Sequence, residues 1–246
     1  VSHPLLARLA SDDPAARAAA CRAIAADPAG ALLLEPLVAA LGDPEGPVAK
    51  AAREALVALA RGSEGVRPLL RAALRRRGGP AGAAAPDARR RVHAALALAR
   101  LEPPEPGLLP ALVEGLGARE GEVRWSAARV LVDLGRLHPQ IVDVLVGLVR
   151  SADDPAARRM AAFSLRELAP DLDETARALV EATGDDDRHV RRAAVTALAG
   201  LLDPPPAVAE RLAALRADPD PTLARLAALA LERIEAGQAR AAEAER

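Results

Sequence analysis

The sequence predicts an all-α fold, a solenoid of about seven two-helix repeats. One phrase recurs seven times at a nearly fixed interval, most clearly as Asp154-Pro155-Ala156-Ala157-Arg158-Arg159-Met160-Ala161-Ala162-Phe163-Ser164-Leu165 and again over Asp220–Leu231. Self-similarity at this period marks stacked supersecondary units and not one closed globule. The apolar mass is Ala, Leu and Val, with Trp125 and Phe163 the only aromatics. Such side chains fill the space between closely approaching helices, and they supply few of the rings and β-branched runs that a sandwich or barrel core uses.

The arginine that follows each acidic turn sets the register. Its equivalents are Arg17, Ala49, Arg89, Arg124, Arg158, Arg191 and Ala224, at spacings of 32, 40, 35, 34, 33 and 33 residues. Seven residues on stands a large aliphatic column: Ile24, Leu56, Leu96, Leu131, Leu165, Leu198 and Leu231. Three residues on stands a small one: Ala20, Ala52, Val92, Ala127, Ala161, Ala194 and Ala227. A small residue one turn before a large one, on one face, lets two helices pack tightly.

Four residues before the reference stand Asp13, Glu45, Ala85, Glu120, Asp154, Asp187 and Asp220, and three of the acids are followed by proline, at Pro14, Pro155 and Pro221. An acid at the N-cap accepts a bond from an orphan backbone N–H, and proline at the first helical position gives up a donor that has no partner there. A second helix of about 14 residues therefore starts near each acid. Shorter first helices precede it, as over Leu34–Leu41, Leu108–Leu116, Ile141–Val149 and Thr175–Thr183. Asp27-Pro28, Pro103-Pro104, His138-Pro139, Ala169-Pro170 and Asp203-Pro204 close the repeats. The register divides residues 1–236 into repeats of approximately 1–28, 29–62, 63–103, 104–138, 139–170, 171–203 and 204–236. The 40-residue spacing locates one insertion, a Gly/Ala/Pro-rich stretch read as a flexible exposed loop over 77–86. Residues 237–246 keep helical propensity without an apolar stripe and are expected to be a frayed cap or tail.

The phrase Asp-Pro-Asp-Pro-x-(Val/Leu)-Arg-x-x-Ala-Ala-x-x-Leu, nearly whole in Asp218–Leu231, resembles HEAT repeats of bacterial proteins. It is most similar to the short variety of phycobilin-lyase-type proteins. Val123-Arg124-Trp125-Ser126-Ala127-Ala128 and Val190-Arg191-Arg192-Ala193-Ala194 carry its core. The resemblance implies a right-handed α-α superhelix of the HEAT/armadillo-like kind. Tetratricopeptide arrays want recurring aromatics and ankyrin arrays a Thr-Pro-Leu-His phrase, and neither is here.

No catalytic constellation stands out. His3, His93, His138 and His189 are dispersed, without metal-ligand spacing, so neither a metal nor another cofactor is expected. HEAT-like di-iron hydroxylases use His-Glu pairs, and this chain has no His-Glu dipeptide. His93 is expected to pack or face solvent, and Cys21, the single cysteine, to be buried and inert. No phosphate-binding glycine loop follows a strand. The net charge of −1 supplies no global field toward nucleic acid or membrane, and no apolar run approaches the roughly 18 residues of a span. Val1-Ser2-His3-Pro4 lacks a secretory layout and one cysteine suits a reducing compartment, so a cytoplasmic setting is expected.

The acids and reference arginines form two ladders, read as ties between neighbouring repeats. The position after the reference holds Ala18, Lys50, Arg90, Trp125, Arg159, Arg192 and Arg225. One turn further stand Arg22, Glu54, Ala94, Arg129, Phe163, Thr196 and Leu229. Neither column has core character, so both are expected to face outward, onto the concave side that second helices line in HEAT stacks. Both aromatics fall in these columns, with Arg90, Arg129, Arg159, Arg166 and Arg192 around them.

An exposed Trp and Phe framed by Arg fits a protein-binding hot spot, and it also fits base stacking or a phosphate clamp. The leading expectation is a non-enzymatic scaffold binding a protein, with an acidic segment as the favoured partner, through Arg90, Trp125, Arg129, Arg159, Phe163, Arg166 and Arg192. The alternative is nucleic-acid or phosphate binding in the manner of HEAT-like alkylpurine DNA glycosylases. Their catalytic carboxylate has no counterpart here, since Arg129 stands one turn after Trp125. A bilin lyase is suggested only by the repeat family, at fold level.

Overall fold

A computed structural model describes residues 3–75, 86–168, 173–201 and 204–244. The insertion expected over 77–86 lies, except for Pro86, outside the described residues, as do Ala85, the Ala169-Pro170 breaker and Asp203. Among the described residues there are fourteen α-helices and no strand. The chain forms two compact units, Val1–Val130 and Leu131–Arg246.

The first unit contains α1 (Pro4–Leu9), α2 (Pro14–Ala26), α3 (Leu34–Ala40), α4 (Gly46–Leu59), α5 (Val66–Arg75), α6 (Pro86–Leu101), α7 (Leu109–Leu116) and the start of α8 (Gly121–Leu137). The even-numbered helices pack in a row, α2 on α4 and α4 on α6, while α1, α3 and α5 form a parallel row. The second unit repeats this order with α9 (Ile141–Ser151), α10 (Pro155–Leu168), α11 (Asp173–Ala182), α12 (Arg188–Leu198), α13 (Pro206–Leu215) and α14 (Pro221–Ala244). There α10 packs on α12 and α12 on α14, with α9, α11 and α13 alongside. Fourteen helices in this order among the described residues agree with a fold of about seven two-helix repeats. Into the stretch 237–246, where the sequence suggests a frayed cap or tail, α14 continues as far as Ala244.

Burial follows the columns. The small column is entirely buried, and the large one is buried from Ile24 to Leu198. Leu231, in the last repeat, is only half-buried. Each fully buried Leu or Ile contributes about 1.5–3 kcal/mol. Asp13 accepts from the amides of Ala15 and Ala16, Asp154 from Ala156, Asp187 from His189 and Val190, and Asp220 from Thr222 and Leu223, as N-caps should. Glu45 makes no such bond. Its own amide donates to Asp43 at 2.9 Å, so a residue two positions upstream organises that turn.

Gly115 shows how close the helices come. A Cβ there would lie 2.9 Å from the Ala127 Cβ and 3.1 Å from the Val92 Cγ1. Alanine would gain about 1 kcal/mol of helix propensity, yet overpacking a close contact costs roughly 1–3 kcal/mol. Gly115→Ala is therefore expected to lower the urea midpoint. A raised midpoint would show that α7 can shift to make room.

Candidate functional site

The reference arginines act as braces. Arg17, Arg124, Arg158 and Arg191 each turn Nη1 back onto two upstream carbonyls, at 2.7–3.2 Å. The acceptors are Ser11 and Asp12, Ala118 and Arg119, Ala152 and Asp153, and Asp185 and Asp186. These carbonyls lie in the turn before each second helix, where no backbone amide among the described residues donates to them. Arg17 also forks onto Asp43 (2.9 and 3.0 Å), and Arg158 onto Asp185 (2.7 and 2.9 Å). Each fork reaches the acid of the next repeat. Burial would raise the Asp185 carboxyl, but the Arg158 fork and the Asp187 amide outweigh it and hold the group below the usual range.

In the first unit, Trp125 on α8 is 56% exposed, and Arg129 follows it one turn later, also exposed. Arg129 has neither a hydrogen bond nor an ion pair among the described residues. Arg90 on α6 is committed: its Nη1 donates to Asp87 at 2.6 Å and the side chain is largely buried. Lys50 pairs with Glu122 at 2.8 Å. Two members of the columns expected to face outward, Ala18 and Ala94, are instead buried, because alanine at those positions closes onto neighbouring helices.

In the second unit, Arg159 on α10 is half-buried and has neither a hydrogen bond nor an ion pair among the described residues. Phe163 lies one turn further along the helix, with the Arg166 guanidinium carbon 5.4 Å from its ring centroid, within cation–π range. Arg166 also donates to Glu167 at 2.6 Å. Arg192 forks onto Asp220, at 2.9–3.2 Å, and so ties α12 to the start of α14. That carboxylate is held low, first by Arg192 and then by the amides it caps. Arg225 and Leu229 are exposed on α14.

Among the described residues no three His, Cys, Asp or Glu side chains come together as metal ligands. No helix among them is long and apolar enough to cross a membrane. Cys21 is fully buried, and burial pushes its thiol up to about 11, so little thiolate forms near neutral pH. His189 is exposed at the start of α12.

The profile of the HEAT repeats family matches residues 81–166 and 142–232, more than half of the sequence. The chain belongs to the HEAT-repeat family. Among solved structures it is similar to Cex1p, with a TM-score of 0.58 at 12% identity over 97% of this chain and 53% of that one. An engineered protein matches at 24% identity over 95% and 96% of the two chains, with a TM-score of 0.40. A designed armadillo repeat protein in complex with the peptide (KR)4 matches at 18% identity over 94% and 98%, with a TM-score of 0.40. No curated protein matches the sequence.

This HEAT-repeat protein also holds a cluster that the register alone does not announce. Arg53 on α4 and His93 on α6 are buried, at 4% and 1% exposure. Arg53 Nη2 donates to Glu122 at 3.2 Å, and Lys50 shares that carboxylate. The Nε and Nη1 of Arg53, and both ring nitrogens of His93, have no partner among the described residues. A signal for them exists. Four residues after the reference, the HEAT repeats carry Cys21, Arg53, His93, Ala128, Ala162, Val195 and Ala228. Arg53 and His93 are the two polar members of a column otherwise small and apolar.

Proposed function

We propose that this HEAT-repeat chain is a non-enzymatic scaffold that binds an acidic protein segment through residues on its second helices. One observation carries the reading. On α8 and on α10, an arginine without a partner among the described residues stands one turn from an aromatic ring, as Trp125 with Arg129 and Arg159 with Phe163. A cation whose charge is not spent within the fold favours an anionic partner, and a large ring beside it supplies apolar contact area. Arg90 in the first unit, and Arg166 and Arg192 in the second, are already engaged with Asp87, Glu167 and Asp220, so they contribute shape and field more than free donors. Repeat arrays bind through residues that recur at one position per repeat, in keeping with this placement.

The pairing gives a direct test. Trp125→Ala combined with Arg159→Glu is expected to abolish binding of a captured partner, with helicity and Tm nearly unchanged. Loss of folding in that variant would make both residues structural and overturn the reading. The nucleic-acid alternative predicts a steep loss of affinity with added salt and sensitivity to nuclease.

A further inference from the structure

In the first unit a cleft of about 250 Å³ opens between the C-terminal parts of α4 and α6, lined by Arg53, Glu54, Val57, Ala58, Arg61 and Arg100. Three guanidiniums thus meet one carboxylate in a space the size of a small polar group with part of its carrier. Arg61 and Arg100 are exposed and have no hydrogen bond or ion pair among the described residues. Their places at helix C-termini complement the helix dipoles, which accounts for two surface cations without any ligand. It does not account for Arg53, which sits in mid-helix with its side chain only 5% exposed. Its single bond is to Glu122, a carboxylate it shares with Lys50, so two of its three nitrogens remain without a partner among the described residues.

Burying a guanidinium that is only partly paired is costly. Apolar residues occupy the equivalent place in five of the seven repeats, so a repeat of this kind does not need the charge for packing. The guanidinium fork is the side chain best matched to carboxylate and phosphate. We propose that this cleft is a binding site for one small oxyanion group, a carboxylate or a phosphate, with Arg53 as its buried anchor and Arg61 and Arg100 closing over it. Val57 and Ala58 present an apolar wall to the carrier of that group, and Glu54, the one carboxylate in the lining, offsets part of the positive charge of the three arginines. The site is independent of the aromatic pairs described above.

The experiment follows the Arg53 Nε–H signal of isotope-labelled protein by NMR. Potassium phosphate and potassium glutamate are titrated separately at constant ionic strength set with potassium chloride. Saturable movement of that signal with either anion is expected, and the one that saturates at lower concentration assigns the class. Arg100→Gln, a surface change that leaves the core untouched, should weaken saturation by about tenfold or more, measured on the same signal. Arg53→Met, which keeps the buried stem, should remove the saturable rise in Tm that the anion gives the wild type. Arg233→Gln, an exposed change on α14 of the second unit and outside the cleft lining, should change neither. An Arg53 signal that moves no more than in chloride alone, or equal affinity in wild type and Arg100→Gln, would overturn the proposal.

Discussion

Acidification from pH 7 to 4.5 is expected to destabilise the first unit by up to about 3 kcal/mol through His93 alone. Burial, then the charges of Arg53 and Arg89, push this imidazole down to about 4, against the lesser pull of Glu122. The ring is therefore neutral in the fold at pH 5, whereas in the unfolded chain it takes up a proton below about 6.5. Between those two values the unfolded state binds more protons, so stability rises with pH across that window and this contribution levels off below about pH 4. Urea unfolding at pH 7.5, 5.5 and 4.5 measures it. His93→Leu replaces a ring that has no hydrogen bond among the described residues by an apolar side chain of similar reach. Most of the decline over that window should vanish in the variant. A variant with the wild-type pH slope would place the acid sensitivity elsewhere.

Arg158→Ala is expected to cost about 2–3 kcal/mol. The change removes both bonds to Asp185 and both bonds to the Ala152 and Asp153 carbonyls, and leaves a carboxylate only 11% exposed without its cation. Arg158→Lys should recover little, because a single ammonium cannot serve a fork and two carbonyls at once. Asp185 adds a pH signature. Its folded carboxyl titrates below the ordinary value, so the stability it gives is present above that value and is lost as pH falls through its folded pKa. The double change Arg158→Ala/Asp185→Ala should lose less than the two single changes added together, in chemical denaturation. Additive losses would mean that the brace acts on the carbonyls alone.

These expectations sort by what a repeat makes visible. The helix pairs are legible because packing demands the same size at the same place each time, as Ala161 before Leu165 and Ala194 before Leu198 show. The arginine ladder is legible as a recurrence, but only part of it makes the expected tie between repeats: Arg158 reaches Asp185, whereas Arg191 answers carbonyls of its own turn. What recurs only once is harder to read. Arg192 shares its column with Arg159, yet only Arg192 forks onto the cap of the following helix, at Asp220. Glu45 occupies an N-cap position, but Asp43 holds its amide. Arg53 and His93 stand out only when their column is read for polarity instead of size. Extension of α14 to Ala244 has no signal in an apolar stripe, because helical propensity continues without one.

Paired affinity capture tests the scaffold reading most directly. Wild-type protein and Trp125→Ala/Arg159→Glu would be used as baits in a bacterial lysate, with and without nuclease, and the retained protein then bound to each bait in purified form. The account predicts a protein with an acidic segment that binds wild type alone, indifferent to nuclease, while both baits share the same helicity and melting temperature. Equal retention by both baits would contradict it, and capture that disappears with nuclease would move the aromatic and arginine pairs to nucleic acid.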